Sequence, residues 1–178
     1  YAFDHWMRRY HPDIEFEIFA QDGEVVEADQ GIAMVNGPAA ALLTSERVAL
    51  NFMTHMSGIA SMTRRFVLAV QGTEARICDT RKTLPGLRAV QKYAVRAGGG
   101  FNHRFGLDDA VLIKDNHIAI AGGIDAALTL ACENTGHMVS VEIEVDTLDQ
   151  LEEVLEHGGA DVVMMDNFSL EDLATGIK

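Results

Sequence analysis

The spacing of hydrophobic and polar positions changes twice along this chain. After a stretch of helical character over residues 3–10, residues 14–19 alternate between apolar and acidic side chains (I-E-F-E-I-F), the pattern of a half-buried strand. An Asp22-Gly23 turn follows, and apolar runs at 25–26 and 31–35 predict two further short strands. The first part of the chain is therefore predicted to be a small β-rich module.

Residues 39–70 show a different spacing, in which apolar residues recur every three or four positions among good helix formers. This period predicts amphipathic helix rather than strand. Ser57-Gly58 interrupts the pattern, and glycine is unfavourable inside a helix. We therefore expect two consecutive helices here, separated at this pair.

From residue 75 onward, short apolar runs alternate with amphipathic segments. This order predicts parallel strands connected by helices, an α/β arrangement, and nearly all-apolar strands are typical of sheets buried on both faces. The predicted strands cover residues 76–78, 110–113, 139–145 and 161–165, and the predicted helices cover residues 87–97, 123–133, 148–156 and 170–175.

Positive charge is concentrated in one part of an otherwise acidic chain. The formal net charge is −13, yet the segment from Arg81 to Lys114 carries seven of the 14 Lys and Arg residues and only two of the 27 acidic residues. Such a local excess predicts a site for a small anionic ligand, whereas a nucleic-acid surface would need a broader basic field. The alternative is a solvated basic helix from Arg88 to Arg96 beside unrelated loops.

Composition and residue spacing argue against a membrane span, a signal peptide and a zinc site. No apolar run approaches the ~20 residues of a membrane span, and no signal-peptide pattern precedes the first predicted elements. Cys78 and Cys132 lie in apolar surroundings without metal-ligand spacing, so we expect buried thiols in a reducing, cytoplasmic setting. The seven histidines show no zinc-binding spacing.

Polar residues directly follow three of the predicted strands. Arg81 and Lys82 come after the first, Lys114 after the second and Asp166 after the fourth. In a βα barrel the carboxyl ends of the strands form one rim that carries the active site, so these side chains are expected to converge. The alternative is that the strands simply end in polar loops.

Two further features gain meaning from this setting. Glu142 and Glu144 share one face of the strand 139–145, and in a barrel they would point inward, whereas in an open sheet they would face solvent. Gly98-Gly99-Gly100 permits either a tight turn or a close approach of backbone to a ligand. His103-Arg104, which follows the glycines, adds to the cationic cluster.

Six segments together resemble the quinolinate phosphoribosyltransferase family. They read T-S-E-R-V-A-L-N at 44–51, D-T-R-K-T-L-P-G at 79–86, K-Y-A-V-R-A-G-G-G-F-N-H-R at 92–104, L-I-K-D-N-H at 112–117, V-E-I-E-V at 141–145 and G-A-D-V-V-M-M-D-N-F at 159–168. The resemblance covers essentially the whole chain.

The resemblance implies a type II phosphoribosyltransferase fold, an α/β sandwich followed by an open TIM-like α/β barrel, assembled as a homodimer. Residues 1–48 would belong to an incomplete sandwich domain and residues 49–178 to a catalytic barrel domain, incomplete at its C-terminal end. The implied reaction joins quinolinate to phosphoribosyl pyrophosphate (PRPP) with Mg²⁺ and yields nicotinate mononucleotide, pyrophosphate and CO₂ for NAD synthesis.

The resemblance also implies roles for individual residues. Arg81, His103, Arg104 and Lys114 would surround quinolinate, with Thr80 also binding substrate, and Arg47 would reach the site from the partner subunit. Lys82 would bind PRPP, while Glu144 and Asp166 would face the ribose hydroxyls and Mg²⁺. The expected catalytic residues are Lys82, Lys114, Glu144 and Asp166.

The sequence alone leaves three alternative functions open. A related phosphoribosyltransferase could act on another pyridine acid such as nicotinate, or the chain could resemble the homologue associated with molybdate transport. A non-catalytic module that binds phosphate or carboxylate is a further possibility. Because only four barrel strands are predicted, we expect a part of a longer enzyme that cannot turn over alone.

Overall fold

The computed structural model describes residues 11–178, so the helix predicted over residues 3–10 lies outside the described residues. The chain divides into two compact units, the first ending at His103 and the second comprising Arg104–Lys178. The domain boundary that the resemblance places after residue 48 stays a prediction. None of the helices formed by residues 11–178 combines the length and apolarity needed to span a bilayer.

The first unit begins with an antiparallel pair of strands, β1 (Glu15–Ile18) and β2 (Ala33–Asn36), as the alternation predicts. Ile14 is buried just before β1 and packs with Ala49 in a small core. The strand predicted at residues 25–26 does not form. Val25 is 76% exposed there, and no strand formed by residues 11–178 pairs with its backbone.

Helix α1 (Ala39–Ala69) follows as one continuous helix of 31 residues. The predicted interruption at Ser57-Gly58 is therefore wrong. A glycine inside a helix costs only about 1 kcal/mol, and the packing of residues on both sides of it outweighs that cost. Buried positions occur before and after Gly58, at Ala49 and Thr63, so one buried face continues past the pair.

The rest of the first unit joins an extended segment to helix α2 (Arg88–Ala97). The strand predicted at residues 76–78 is reduced to a single parallel bridge between Cys78 and Phe101. Phe101 N donates to Ile77 O at 2.8 Å, and Asp79 N donates to Phe101 O at 3.0 Å. Two hydrogen bonds to one short segment suffice for a bridge but not for a ladder.

The glycines at 98–100 serve helix packing. A side chain at Gly98 would collide with Ala60 O of α1, and one at Gly100 would come within 2.8 Å of Thr63 Cγ2. Of the two interpretations offered by the sequence, the structure shows the turn, in which Gly99 has φ +89°, and it adds a close packing of Gly98 and Gly100 against α1 that the sequence did not predict.

The second unit is a parallel sheet of three strands covered by helices. β3 (Val111–Ile113), β4 (Val141–Val145) and β5 (Val162–Met165) lie in the order β3-β4-β5. Ile113 is in register with Ile143, and Glu144 with Met164. The sheet is open, and the three strands and their parallel order agree with the sequence-based prediction.

Four helices accompany this sheet: α3 (Asp115–Ala121), α4 (Ile124–Asn134), α5 (Leu148–His157) and α6 (Leu170–Gly176). The core contains Leu128 of α4, Val154 of α5 and the apolar face of β4, all almost fully buried. Thr147 Oγ1 accepts a hydrogen bond from Gln150 N at 3.2 Å and caps α5. Helix α3 was not predicted.

Both cysteines are exposed free thiols, which contradicts the prediction that they are buried. Cys78 belongs to the segment that forms only one bridge, so few neighbours cover it. Cys132 lies in α4, and its Sγ donates to Gly159 O at 3.4 Å.

Candidate functional site

The predicted site residues are distributed over both units, and each group is described within its own unit. The first unit holds Arg47, Thr80, Arg81, Lys82 and His103, and the second holds Arg104, Lys114, Glu144 and Asp166.

In the first unit, a tight loop after Cys78 carries Thr80, Arg81 and Lys82. Thr80 Oγ1 accepts a hydrogen bond from Lys82 N at 3.1 Å, and Arg81 O accepts one from Thr83 N at 2.9 Å. These local bonds turn the chain and leave Lys82 exposed. A small cavity of about 220 Å³ lies beside the loop, lined in part by Thr80, Lys82 and Thr83.

Arg81 differs from an ordinary surface arginine. Its side chain is half-buried, and its Nε is buried with no hydrogen-bond partner among the described residues. Leaving a buried donor unsatisfied costs about 1–3 kcal/mol, more for a charged group. An anionic acceptor beside Arg81 would remove that cost.

The carboxylate of Asp79 connects this loop to His103. Asp79 Oδ1 accepts from His103 N at 2.9 Å and forms an ion pair with Lys92. With its amide nitrogen directed toward Asp79, Asn102 donates to Asp79 Oδ2 at 2.9 Å. The structure thus holds His103 beside the loop that carries Arg81 and Lys82.

A larger cavity of about 520 Å³ also lies in the first unit, between α1 and the segment that contains Ile77 and Cys78. Met62, Phe66 and other apolar side chains form most of its lining. An anionic ligand needs cationic partners, so the smaller cavity beside Lys82 suits such a ligand better.

In the second unit, Lys114 and Glu144 form a direct ion pair. Lys114 follows β3 immediately, and the register places it level with Glu144 on β4. Lys114 Nζ donates to Glu144 Oε2 at 2.5 Å. The charge of each group is therefore balanced by its neighbour, with Glu144 the more buried of the two.

Asp166 lies at the same end of the sheet. It follows β5 directly, and alternation from Met164 places its side chain on the face occupied by Glu144. Asn167 Nδ2 donates to Asp166 Oδ2 at 2.8 Å. Asn167 has φ +55°, a left-handed conformation that asparagine tolerates better than most residues, and the chain turns sharply there.

The arrangement of β4 supports the expected orientation of its carboxylates. Val141, Ile143 and Val145 are buried in the core, whereas Glu142 and Glu144 are half-buried on the opposite face. The prediction that these carboxylates share one face is confirmed, and in this open sheet they are only partly enclosed.

Arg104 stands at the start of the second unit, where its Nη1 donates to Ala110 O at 3.0 Å. Like Arg81, it keeps a buried Nε that has no partner within residues 11–178. Arg47 is different, since its side chain is exposed on α1.

Two residues that support the candidate site, Lys92 and His117, were not identified from the sequence. Lys92 was included in a basic helix that could be solvated, yet its side chain is only 2% exposed. His117 Nδ1 accepts from Lys114 N at 2.9 Å and so fixes the backbone of this lysine at the start of α3. A signal for both was available, since each lies within a motif that also contains a predicted site residue.

Comparisons with known proteins agree with one another. Residues 3–57 match the family described as quinolinate phosphoribosyl transferase, N-terminal domain, and residues 59–178 match the corresponding C-terminal domain. The chain is 51% identical, over 155 residues, to a probable nicotinate-nucleotide pyrophosphorylase [carboxylating] of Bacillus subtilis, covering 87% of this chain and 53% of that protein.

Solved structures give the same result. NadC from Streptococcus pyogenes is similar with a TM-score of 0.93 and 41% identity, over 98% of this chain and 62% of that one. The nicotinate-nucleotide pyrophosphorylase from Francisella tularensis has a TM-score of 0.93 and 42% identity, with the same coverage. The chain spans about half the length of the curated relatives it matches.

Proposed function

This chain belongs to the quinolinate phosphoribosyltransferase family, and from that premise we propose that the protein transfers the phosphoribosyl group of PRPP to quinolinate. The reaction would release pyrophosphate and CO₂ and yield nicotinate mononucleotide, a precursor of NAD. The proposal is that of a pentosyltransferase acting in pyridine nucleotide synthesis.

The buried, unpartnered Nε atoms of Arg81 and Arg104 carry the proposal. A guanidinium is always charged and presents donors in a rigid plane that matches a carboxylate. Each of these groups favours a carboxylate acceptor, so the chain offers buried donors for more than one carboxylate. Quinolinate, a flat pyridine dicarboxylate, has that chemistry, whereas nicotinate has a single carboxylate.

The remaining cations complete the proposed substrate contacts. His103 and Lys114 would bind quinolinate together with the two arginines, and Thr80 would add a hydroxyl donor. The support for Lys114 is its place directly after β3, where it already pairs with a carboxylate. Because an ammonium group has three donors, Lys114 could bind a substrate carboxylate while keeping its bond to Glu144.

The proposed PRPP contacts are Lys82, Glu144 and Asp166. Lys82 is exposed beside the cavity of about 220 Å³, as a lysine that meets a phosphate group would be. Glu144 and Asp166 present carboxylate oxygens on one face of the sheet, where they could accept hydrogen bonds from ribose hydroxyls.

Catalysis would depend mainly on position and charge. When pyrophosphate departs, the anomeric carbon gains oxocarbenium character, so the pyridine nitrogen must already lie in line with it. Lys82 would offset the growing negative charge of the leaving group, and Glu144 and Asp166 would stabilise the positive ribose. Lys114 and the arginines would hold the carboxylates of the pyridine in place.

Mg²⁺ belongs to the proposal as a companion of PRPP. Within residues 11–178, no three His, Cys, Asp or Glu side chains are grouped closely enough to hold a metal ion. Mg²⁺ commonly binds through one or two carboxylates plus substrate phosphates, and Glu144 and Asp166 fit that smaller demand. When bound, the ion would neutralise charge on the pyrophosphate.

A homodimer in the cytoplasm completes the proposal, with Arg47 of one subunit serving the site of the other. The exposed position of Arg47 on α1 supports this role, because the side chain is available to a neighbouring molecule. The two free thiols, Cys78 and Cys132, are consistent with a reducing compartment.

Calorimetry on the complete protein tests the function. We expect quinolinate to bind at least tenfold more tightly than nicotinate, and mixing with PRPP and Mg²⁺ to produce nicotinate mononucleotide. Preferential binding and turnover of nicotinate would replace quinolinate by the monocarboxylate. Binding of anions without any turnover would favour a non-catalytic module.

A further inference from the structure

One polar face of α2 holds the loop after Cys78, the loop that carries Thr80, Arg81 and Lys82. Arg88, Gln91 and Lys92 occupy positions i, i+3 and i+4, which share one side of a helix. Arg88 Nε donates to Thr83 Oγ1 at 3.2 Å, and Gln91 Oε1 accepts from Leu84 N at 3.0 Å. Two successive residues of the loop, Thr83 and Leu84, are therefore attached to this helix.

Lys92 makes the most buried of these attachments. Its side chain is 2% exposed and that of its partner Asp79 is 8% exposed. Lys92 Nζ also donates to His103 O at 2.9 Å, while Asp79 Oδ1 accepts from His103 N at 2.9 Å. The two charged groups thus hold both the carbonyl and the amide of His103.

Asn102 adds a third connection to the same pair. With its amide nitrogen toward Asp79, it lies 2.9 Å from Asp79 Oδ2 and 2.9 Å from Lys92 O. Donors from both of the other segments therefore converge on one carboxylate. The loop after Cys78 and the segment that ends at His103 are 24 residues apart in sequence, and this carboxylate joins them in addition to the backbone bridge between Cys78 and Phe101.

We propose that Asp79 and Lys92 form a positioning pair that fixes Arg81 and His103 relative to each other for substrate binding. This inference rests on the proposed function and extends it, because it gives a role to two residues that do not themselves touch the substrate. The pair acts through the backbone of His103 and through the loop that begins at Asp79.

A role in stability alone is the competing explanation. Buried ion pairs contribute little net stability on average, because desolvation offsets their attraction, and removal of one partner leaves an uncompensated charge. Removal of both partners relieves that charge. A positioning role and a purely stabilising role therefore predict different behaviour once the whole pair is removed.

The test uses three variants of the complete protein and one control. Lys92→Met removes the cation, Asp79→Ala combined with Lys92→Met removes the pair, and Asp79→Asn weakens it while keeping the size of the side chain. Arg96→Met is the matched control, because it removes a cation from an exposed position one turn later on α2. Melting temperature, quinolinate affinity and amide hydrogen exchange are measured for each.

We expect Lys92→Met to lower the melting temperature and the double variant to recover part of that loss. In both, the dissociation constant for quinolinate should rise at least tenfold, and the amide of His103 should exchange at least tenfold faster. Asp79→Asn should show smaller changes in the same direction, and Arg96→Met should show none.

Wild-type affinity and wild-type exchange at His103 in any folded variant of the pair would overturn the proposal. Asp79→Asn keeps the test valid if the larger changes prevent folding. The exchange measurement needs no ligand, so it shows whether the pair fixes the backbone of His103 even if the wild-type protein fails to bind quinolinate. That failure would count against the proposed function instead.

Discussion

Individual guanidinium groups give the most direct test of the substrate contacts. Arg81→Ala removes a half-buried cation whose Nε has no partner within the described chain. A hydrogen bond to a charged group contributes about 1.5–3 kcal/mol, so the dissociation constant for quinolinate should rise roughly 10- to 150-fold. Lys114→Ala should have an effect of similar size, because Lys114 is also a proposed quinolinate contact and its ion pair with Glu144 holds the side chain in place.

Calorimetry on the complete protein measures both effects. Arg96→Ala provides the control, since it removes an exposed cation from the same unit as Arg81. Unchanged quinolinate affinity in both Arg81→Ala and Lys114→Ala would contradict the assignment of these residues.

A second residue-scale prediction concerns the loop after Arg104. The backbone N–H groups of Phe105 and Gly106 lower the pKa of Asp109 below its ordinary value of 3.8. Because the folded pKa is the lower one, the carboxylate stabilises the loop above the unfolded pKa. That contribution is lost as the pH falls below 3.8 and through the folded pKa.

NMR titration can measure this behaviour at both ends of the hydrogen bond. The Asp109 carboxyl should titrate with a midpoint below 3.8, and the Gly106 amide resonance should move with it. Asp109→Asn should abolish the transition of the amide. Asp108→Asn removes the neighbouring charge and should leave it intact, while a midpoint at or above 3.8 would disprove the expected direction.

At this scale the sequence identified the charged residues better than it identified their partners. Arg81 and Lys114 are candidates because they follow predicted strands, and Glu144 because it lies on one. The strands at Lys114 and Glu144 form as predicted, whereas residues 76–78 form only a bridge. The pairing of Lys92 with Asp79 could not be predicted, since it depends on a contact across 13 residues that no local pattern encodes.

At the scale of secondary-structure elements, two glycines show how close backbone contacts determine the packing of helices. Gly98 has ordinary helical φ and lies against Ala60 O, so Gly98→Ala should force α1 and the end of α2 apart. Overpacking of this kind costs about 1–3 kcal/mol. Gly58→Ala, on the exposed side of α1 with no atom near its added methyl, should stabilise the helix by about 0.5–1 kcal/mol.

The opposite signs of these two substitutions make the comparison informative. Chemical denaturation of both variants under the same conditions measures the free energy of unfolding. If Gly98→Ala proved as stable as the wild-type protein, the close contact between the two helices would be refuted.

Elements were predictable where burial repeats and unpredictable where contacts are irregular. The strands β3, β4 and β5 were found because parallel strands covered by helices are apolar throughout. Helix α3 is not evident from the sequence because its first three residues, Asp115 to His117, belong to a polar motif that was interpreted as a loop. The continuity of α1 through Gly58 depends on packing at both ends of the helix, which outweighs the local preference of glycine.

For the whole molecule, the comparisons place the chain within a family whose members are longer. This chain covers 53% of the Bacillus subtilis relative and 62% of the Streptococcus pyogenes structure. Assembly is therefore best tested with the complete protein. The exposed Arg47 on α1 is the residue through which assembly and substrate binding are proposed to be connected.

We predict that Arg47 acts in the site of the partner subunit. An isologous interface can place a helix of one subunit beside the site of the other. If Arg47 were only an exposed charge on the surface of its own subunit, its interactions would contribute under ~1 kcal/mol of stability, as for other exposed charges. Instead, homodimers of Arg47→Ala and of Lys114→Ala should each be nearly inactive.

Subunit complementation distinguishes the two arrangements. In a mixed dimer of Arg47→Ala and Lys114→Ala subunits, action in trans places both defects in one site and leaves the other site intact. Mixing under exchange conditions should then restore activity, toward one functional site per mixed dimer. If Arg47 serves the site of its own subunit, every site in the mixture carries one defect, and no activity returns.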